Sequence, residues 1–179
     1  MASDIECKSF DKQVQDYQIE WRGKHIPPNI LWGKQNKREY EHILPSEQWL
    51  LGIWEEIRSP LNNYVDLKVF QANKGKHNLK SSWAQCANIF FPFRYYEKLR
   101  RIIAGFLSEQ LNIKVINIES MEFEYAASGN LAPENLLGET GGMRGANQTS
   151  PDVGVIFTYE NQKKGVYLIE NKYVEDSFL

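Results

Sequence analysis

The stretch from Ser150 to Tyr173 constrains this chain more than any other. It reads Ser-Pro-Asp-Val-Gly-Val-Ile-Phe, then a polar connector, then Gly-Val-Tyr-Leu-Ile-Glu-Asn-Lys-Tyr. Val153, Val155 and Phe157 alternate with Gly154, Ile156 and Thr158, a period of two that predicts a strand beginning at Asp152. Glu160 to Gly165 is polar and ends in glycine, so it reads as a hairpin turn, with Val166 to Tyr173 as the returning strand. Residues two apart on a strand leave the same face, which groups Glu170 with Lys172. Pairing the strands brings Asp152 beside them.

Two carboxylates and an ammonium at the end of an apolar hairpin suit metal-assisted phosphodiester cleavage. Carboxylates hold a hard cation such as Mg2+ while leaving positions for water and a substrate phosphate. The cation acidifies water and neutralises charge on the phosphate. A lysine aimed at that charge orients the water or stabilises the developing anion. The plainer alternative is an exposed Glu/Lys pair, common on the solvent face of strands.

Pro151-Asp152 followed by Glu170-Asn171-Lys172 resembles the PD-(D/E)xK nuclease superfamily, the restriction-endonuclease-like proteins. The resemblance implies an α/β fold, a restriction-endonuclease-like mixed sheet flanked by helices, here with a helical N-terminal extension. It also implies a Mg2+-dependent endonuclease acting on DNA, with Mn2+ as the substitute ion. Asp152 and Glu170 would hold the metal with the main-chain carbonyl of Asn171, and Lys172 would position or activate water. In this superfamily the helix before the sheet often adds a Glu from its N-terminal part, and Glu97 in Tyr96-Glu97-Lys98-Leu99 resembles it. The bland reading of Glu97 is a surface residue paired with Arg100 or Arg101. Glu124 is the reserve ligand and Glu139 a further candidate.

A narrower resemblance lies in Ser81-Ser82-Trp83-Ala84-Gln85-Cys86-Ala87-Asn88-Ile89-Phe90-Phe91-Pro92. This block is similar to one in a bacterial branch, the PGN_0703-like restriction endonucleases, whose last strand also resembles Ile169 to Tyr173 followed by an acidic residue, here Glu175. The chain departs from that branch at Trp83, where a Gln is expected.

With 179 residues the chain is one domain's worth, read as a mainly helical part over 1–92 packed on a nuclease core over 93–179. Its net charge of −2 is unevenly spread. Between Val69 and Arg101 stand seven basic residues against Glu97 alone, while from Ile102 onward eleven acidic face five basic ones. A basic middle beside an acidic site suits an enzyme that grips a polyanion and holds a cation. Cys7 and Cys86 are too few and too far apart for a disulfide framework or zinc site. No apolar run approaches membrane length and the N-terminal residues lack a signal peptide's apolar region, so a cytoplasmic protein is expected.

Taken in order, Met1 to Lys24 is polar with scattered apolar residues, enough for a short strand or helix. His25 to Lys37 reads as loop, with His25 structural or solvated, and Arg38 to Ile43 as a brief helix. Ser46 to Arg58 carries Trp49, Leu50, Ile53, Trp54 and Ile57 at helical spacing, which predicts a helix ended by Pro60, its two Trp in the core. Asp66 to Gln71 is a short strand or linker. Lys74, Lys76 and Lys80 make a basic loop over Asn73 to Ser82, either solvated or contacting phosphates. Helices are predicted over Ser81 to Phe91 and Phe93 to Leu111, the second with a continuous apolar face. Ile113 to Tyr125 reads as a strand with Met121, Phe123 and Tyr125 on one face and Glu122 and Glu124 on the other. Ala126 to Thr149 is a long Gly- and Asn-rich loop where Arg144 would clamp a phosphate.

The superfamily core continues past its third strand with a crossover helix and a parallel strand. The chain stops at Leu179, with no room for that unit. The 165–174 strand is therefore expected as a bare edge, covered by chain beyond Leu179, by an N-terminal segment, or by a partner, a second copy in a homodimer included. Two rivals to the nuclease stay open: a non-catalytic nucleic-acid-binding module of the same fold, and a structural or regulatory protein with an incidental ion pair.

Overall fold

A computed structural model describes residues 8–67, 75–126, 129–139 and 151–173. The chain forms two compact units, one from 1–58, 73–87 and 172–179, the other from 59–72 and 88–171. The element order is α1 (Phe10–His25), β1 (Gly33–Gln35), β2 (Arg38–Tyr40), α2 (Arg58–Leu67), α3 (Ser82–Tyr95), α4 (Glu97–Leu111), β3 (Val115–Phe123), α5 (Pro133–Leu137), β4 (Val153–Tyr159) and β5 (Lys163–Ile169). It is a mixed α/β protein with an N-terminal helix ahead of its sheets, consistent with the fold expected from the sequence.

In the first unit α1 starts at Ser9, whose side chain accepts from the Lys12 N–H, and carries Asp11 in its first turn and Arg22, Lys24 and His25 in its last. His25 is exposed, with its ring stacked on Trp21 at 4.9 Å and its Nδ1 2.8 Å from the Trp21 carbonyl. The segment 38–43 is not a helix. Arg38–Tyr40 pairs antiparallel with Gly33–Gln35, and Asn36 and Lys37 close the turn with φ of 51° and 66°. Positive φ at both central residues is the turn that matches strand twist.

Residues 46–58 also depart from the expected helix. Ser46–Gly52 and Glu55–Ile57 are separate 3-10 turns, with Ile53 extended between them. Leu50 and Ile53, and again Trp54 and Ile57, stand three apart, a spacing that fits a 3-10 turn as well as a helix. Arg58 holds the bend by donating to the Ile53 carbonyl at 2.8 Å. Trp49 is buried, whereas Trp54 is 46% exposed, so one of the two Trp is core. Pro60 does not end a helix but sits in the first turn of α2, where a missing N–H costs nothing.

In the second unit Pro92 lies inside α3, and the break falls at Tyr96, which is extended with φ −92° and ψ 109°. Arg100 from α4 donates to the Arg94 carbonyl at 2.8 Å and so satisfies an open end of α3. Asn112 ends α4 in a left-handed conformation. The apolar face of α4 is largely uncovered: Leu107 is buried, while Ile102 and Phe106 stay exposed.

The main sheet has the order β3-β4-β5, antiparallel throughout. Ile118 pairs with Phe157, Met121 with Val155 and Phe123 with Val153, so one face of the sheet is a buried apolar layer. Among the described residues β5 pairs with β4 alone.

The outer edge of β3 is closed by side chains. The Tyr64 hydroxyl accepts from the Phe123 N–H at 3.2 Å and donates to Glu122 Oε2 at 3.3 Å. Arg94 donates to the Met121 carbonyl and pairs with Glu122 at 3.3 Å, its guanidinium lying 4.3 Å over the Tyr64 ring. These bonds occupy edge groups that would otherwise invite another strand.

Candidate active site

β4 begins at Val153 and β5 ends at Ile169, and these two residues are directly paired. Asp152 and Glu170 therefore face each other just beyond the last pair, where the register would place both side chains on one side of the sheet. The contact that fixes this end is the Asn171 N–H, which donates to Asp152 Oδ2 at 2.6 Å. Asp152 is half-buried and Glu170 exposed. Glu170, Asn171 and Lys172 follow the strand rather than lying on it, because the ladder stops once Asp152 takes a main-chain N–H with its side chain.

The other neighbour of Asp152 is Glu124, whose N–H donates to the Asp152 carbonyl at 2.8 Å. Glu124 has φ of 49°, and this left-handed residue turns the chain out of alternation. Tyr125 is consequently not on the Phe123 face as expected. Its N–H donates to the Pro151 carbonyl at 2.9 Å, and its ring lies against Gly154, on the face opposite Val153. Tyr125 is buried, and that burial pushes its phenol pKa up, with Glu122 adding to the shift. The sheet end thus brings the backbones of Glu124, Asp152 and Glu170 side by side on three adjacent segments.

Asp152, Glu170 and the Asn171 carbonyl are hard oxygen donors, the type that suits Mg2+, whose other positions go to water and phosphate oxygens. A two-carboxylate site fits that ion. No group of three or more His, Cys, Asp or Glu among the described residues is gathered closely enough to hold a metal. Glu97 is the exposed first residue of α4, and Glu139 is half-buried just after Gly138. Lys172 groups with the first unit, as does Tyr173, whose hydroxyl accepts from Gln18 at 3.1 Å.

The basic loop is placed in part. Lys76 sits 4.6 Å over the Trp49 ring, and Lys80 is paired with Asp11 at 2.6 Å with its side chain 12% exposed. Lys74 and Arg144 lie outside the described residues. The Tyr64–Arg94–Glu122 group was not foreseen; its one sequence signal was Glu122 alternating with apolar Met121 and Phe123.

The antiparallel sheet has Pro-Asp just before β4 and Glu-Asn just after β5, an arrangement consistent with a restriction-endonuclease-like fold. Residues 12–179 match the model of a family described as "Restriction Endonuclease associating with ARP", and the chain belongs to that family. No curated protein and no solved structure matches the chain. Membership supports a nuclease-like function in general and is consistent with the PD-(D/E)xK assignment.

Proposed function

We propose that this chain is a divalent-metal-dependent endonuclease that hydrolyses phosphodiester bonds in DNA. The observation that carries the reading is the 2.6 Å bond from the Asn171 N–H to Asp152 Oδ2. It ties Asn171, next to Glu170, to Asp152 just before β4. Asp152 and Glu170 would hold Mg2+, or Mn2+ in its place, with the Asn171 carbonyl. When bound, the ion supplies acidification of water and neutralisation of phosphate charge.

The remaining work falls to the chain. The Asn171 N–H fixes the orientation of the Asp152 carboxylate, and pre-set geometry is a large part of catalysis in such sites. Lys172 is the next residue, and its ammonium is the group assigned to orienting water or stabilising charge on the phosphate. Glu124, whose main-chain N–H donates to the Asp152 carbonyl, is the residue proposed to add a third carboxylate through a bridging water. The family description names association with ARP, so such a partner is part of the proposal. A second copy covering the outer edge of β5 is the alternative assembly.

The test is cleavage of plasmid, linear and branched DNA by wild type, Asp152→Asn and Lys172→Met, with Mg2+ or Mn2+ and with EDTA. The reading expects cleavage by wild type with either ion, none in EDTA, and a loss of about 10²-fold or more in both variants. Undiminished cleavage by Asp152→Asn, or binding without cleavage by wild type, would replace it with the non-catalytic module.

A further inference from the structure

The β1–β2 hairpin is built as a rigid basic finger. Every residue from Lys34 to Glu39 is exposed, so neither face of this ribbon packs against protein. Two short strands with no buried face are marginal by themselves. What holds them is their base. The buried guanidinium of Arg22 donates to Ile30 and Leu31 on the incoming leg, each at 2.9 Å. It also donates to Glu41 and Ile43 on the outgoing leg, at 2.8 and 2.9 Å. Gly33 lets the legs close: a Cβ there would stand 2.0 Å from the Leu44 carbonyl oxygen.

The tip carries the charge. Lys34 is neutralised by Glu39 directly across the ladder at 3.3 Å. Beyond the ladder itself, the side chains of Lys37 and Arg38 have no hydrogen bond or ion pair among the described residues. Lys37 moreover occupies a turn position with φ of 66°, where glycine is preferred and a side chain is strained. A glycine would stabilise the turn, so the lysine contributes something other than stability.

The geometry points to the β1–β2 hairpin as a nucleic-acid-contacting element, with Lys37 and Arg38 as its phosphate-binding residues and duplex DNA as its partner. An exposed two-stranded ribbon fits a DNA groove, and cations at its tip meet the backbone on either side. A base clamped on both legs lowers the ordering cost of binding. The partner class rests on the nuclease reading above, while the site is distinct from the carboxylates and from the Lys74–Lys80 loop.

The experiment is fluorescence anisotropy of a labelled short duplex in EDTA over a KCl series, with wild type, Lys37→Gly and Lys37→Gly/Arg38→Ala. Lys37→Gly removes charge while easing the turn, so its melting temperature should be equal or higher. The expected result is weaker binding in both variants, roughly tenfold for the pair, with the salt slope reduced by about 0.9 for each cation removed. Unchanged affinity and slope in the double variant, or a wild type that binds RNA and not duplex DNA, would overturn the inference. Cleavage in Mg2+ is read separately. A wild type that binds through the hairpin yet never cleaves removes the nuclease reading alone, and one that cleaves with a silent hairpin removes this inference alone.

Discussion

The ring of Tyr125 occupies the space a β-carbon on Gly154 would need, with its Cδ2 2.3 Å from that position. The left-handed Glu124 delivers the ring there, and the ring backs the strand that begins at Val153. Glycine at 154 is thus a packing requirement, and its neighbours are the candidate site.

Gly154→Ala should therefore destabilise by about 1–3 kcal/mol, the range for overfilling a tight core. Tyr125→Ala combined with Gly154→Ala should cost less than the sum of the two single changes, because the clash is lost with the ring. Urea denaturation of the four proteins checks this. Additive costs would mean that the ring and the glycine do not meet.

How much of this was legible depended on periodicity. The β4–β5 hairpin was clear because Val153, Val155 and Phe157 alternate and are buried. Its connector was shorter than it looked: Glu160, Asn161 and Gln162 turn the chain, and pairing resumes at Lys163. The β1–β2 hairpin was hidden because it buries no face, so it has no alternation to read. Pro60 misled because it lies in a first turn, where its missing N–H costs nothing, and Pro92 because α3 carries it and runs on to Tyr95. The left-handed Glu124 had no signal, since Glu is not a residue that favours such backbone. Of the site, the pairing of Asp152 with the Glu170 segment followed from the hairpin, whereas the end of the strand before Glu170 depended on a side-chain bond.

Arg22 gives a second prediction. Its guanidinium satisfies four carbonyls from two segments, and Lys has neither the fork nor the reach to do so. Arg22→Met and Arg22→Lys should both destabilise by about 3–5 kcal/mol, near the upper end for point changes. A melting temperature for Arg22→Lys close to wild type would show that charge alone suffices.

His42 gives a pH dependence. It is buried with no partner for Nδ1 among the described residues, and burial, then nearby Lys80, lowers its pKa; Asp11 opposes and Lys12 adds to the shift. A histidine with a depressed folded pKa is protonated more readily when unfolded. Its contribution therefore costs stability as pH falls through and below the unfolded value of about 6.5, and is absent well above it. Stability should fall from neutral pH toward pH 5, and more steeply in wild type than in His42→Leu. Parallel melting curves for the two proteins against pH would remove His42 as a cause.

The last prediction isolates the bond between Asn171 and Asp152. Asn171→Ala keeps the main-chain N–H and carbonyl, so both the hydrogen bond and the proposed metal ligand remain. Asn171→Pro keeps the carbonyl but deletes the N–H that holds Asp152 Oδ2 at 2.6 Å. If orientation of that carboxylate matters, Asn171→Ala should cleave DNA like wild type while Asn171→Pro loses about 10²-fold, the scale set by small misplacements in a preorganised site. Proline also restrains Glu170 to extended backbone, so Asn171→Pro should be compared with an Asp152→Asn/Asn171→Pro double variant. If the bond acts through Asp152, the proline costs little further activity once the carboxylate is gone. Independent losses that multiply in the double variant would mean that proline acts through Glu170 instead.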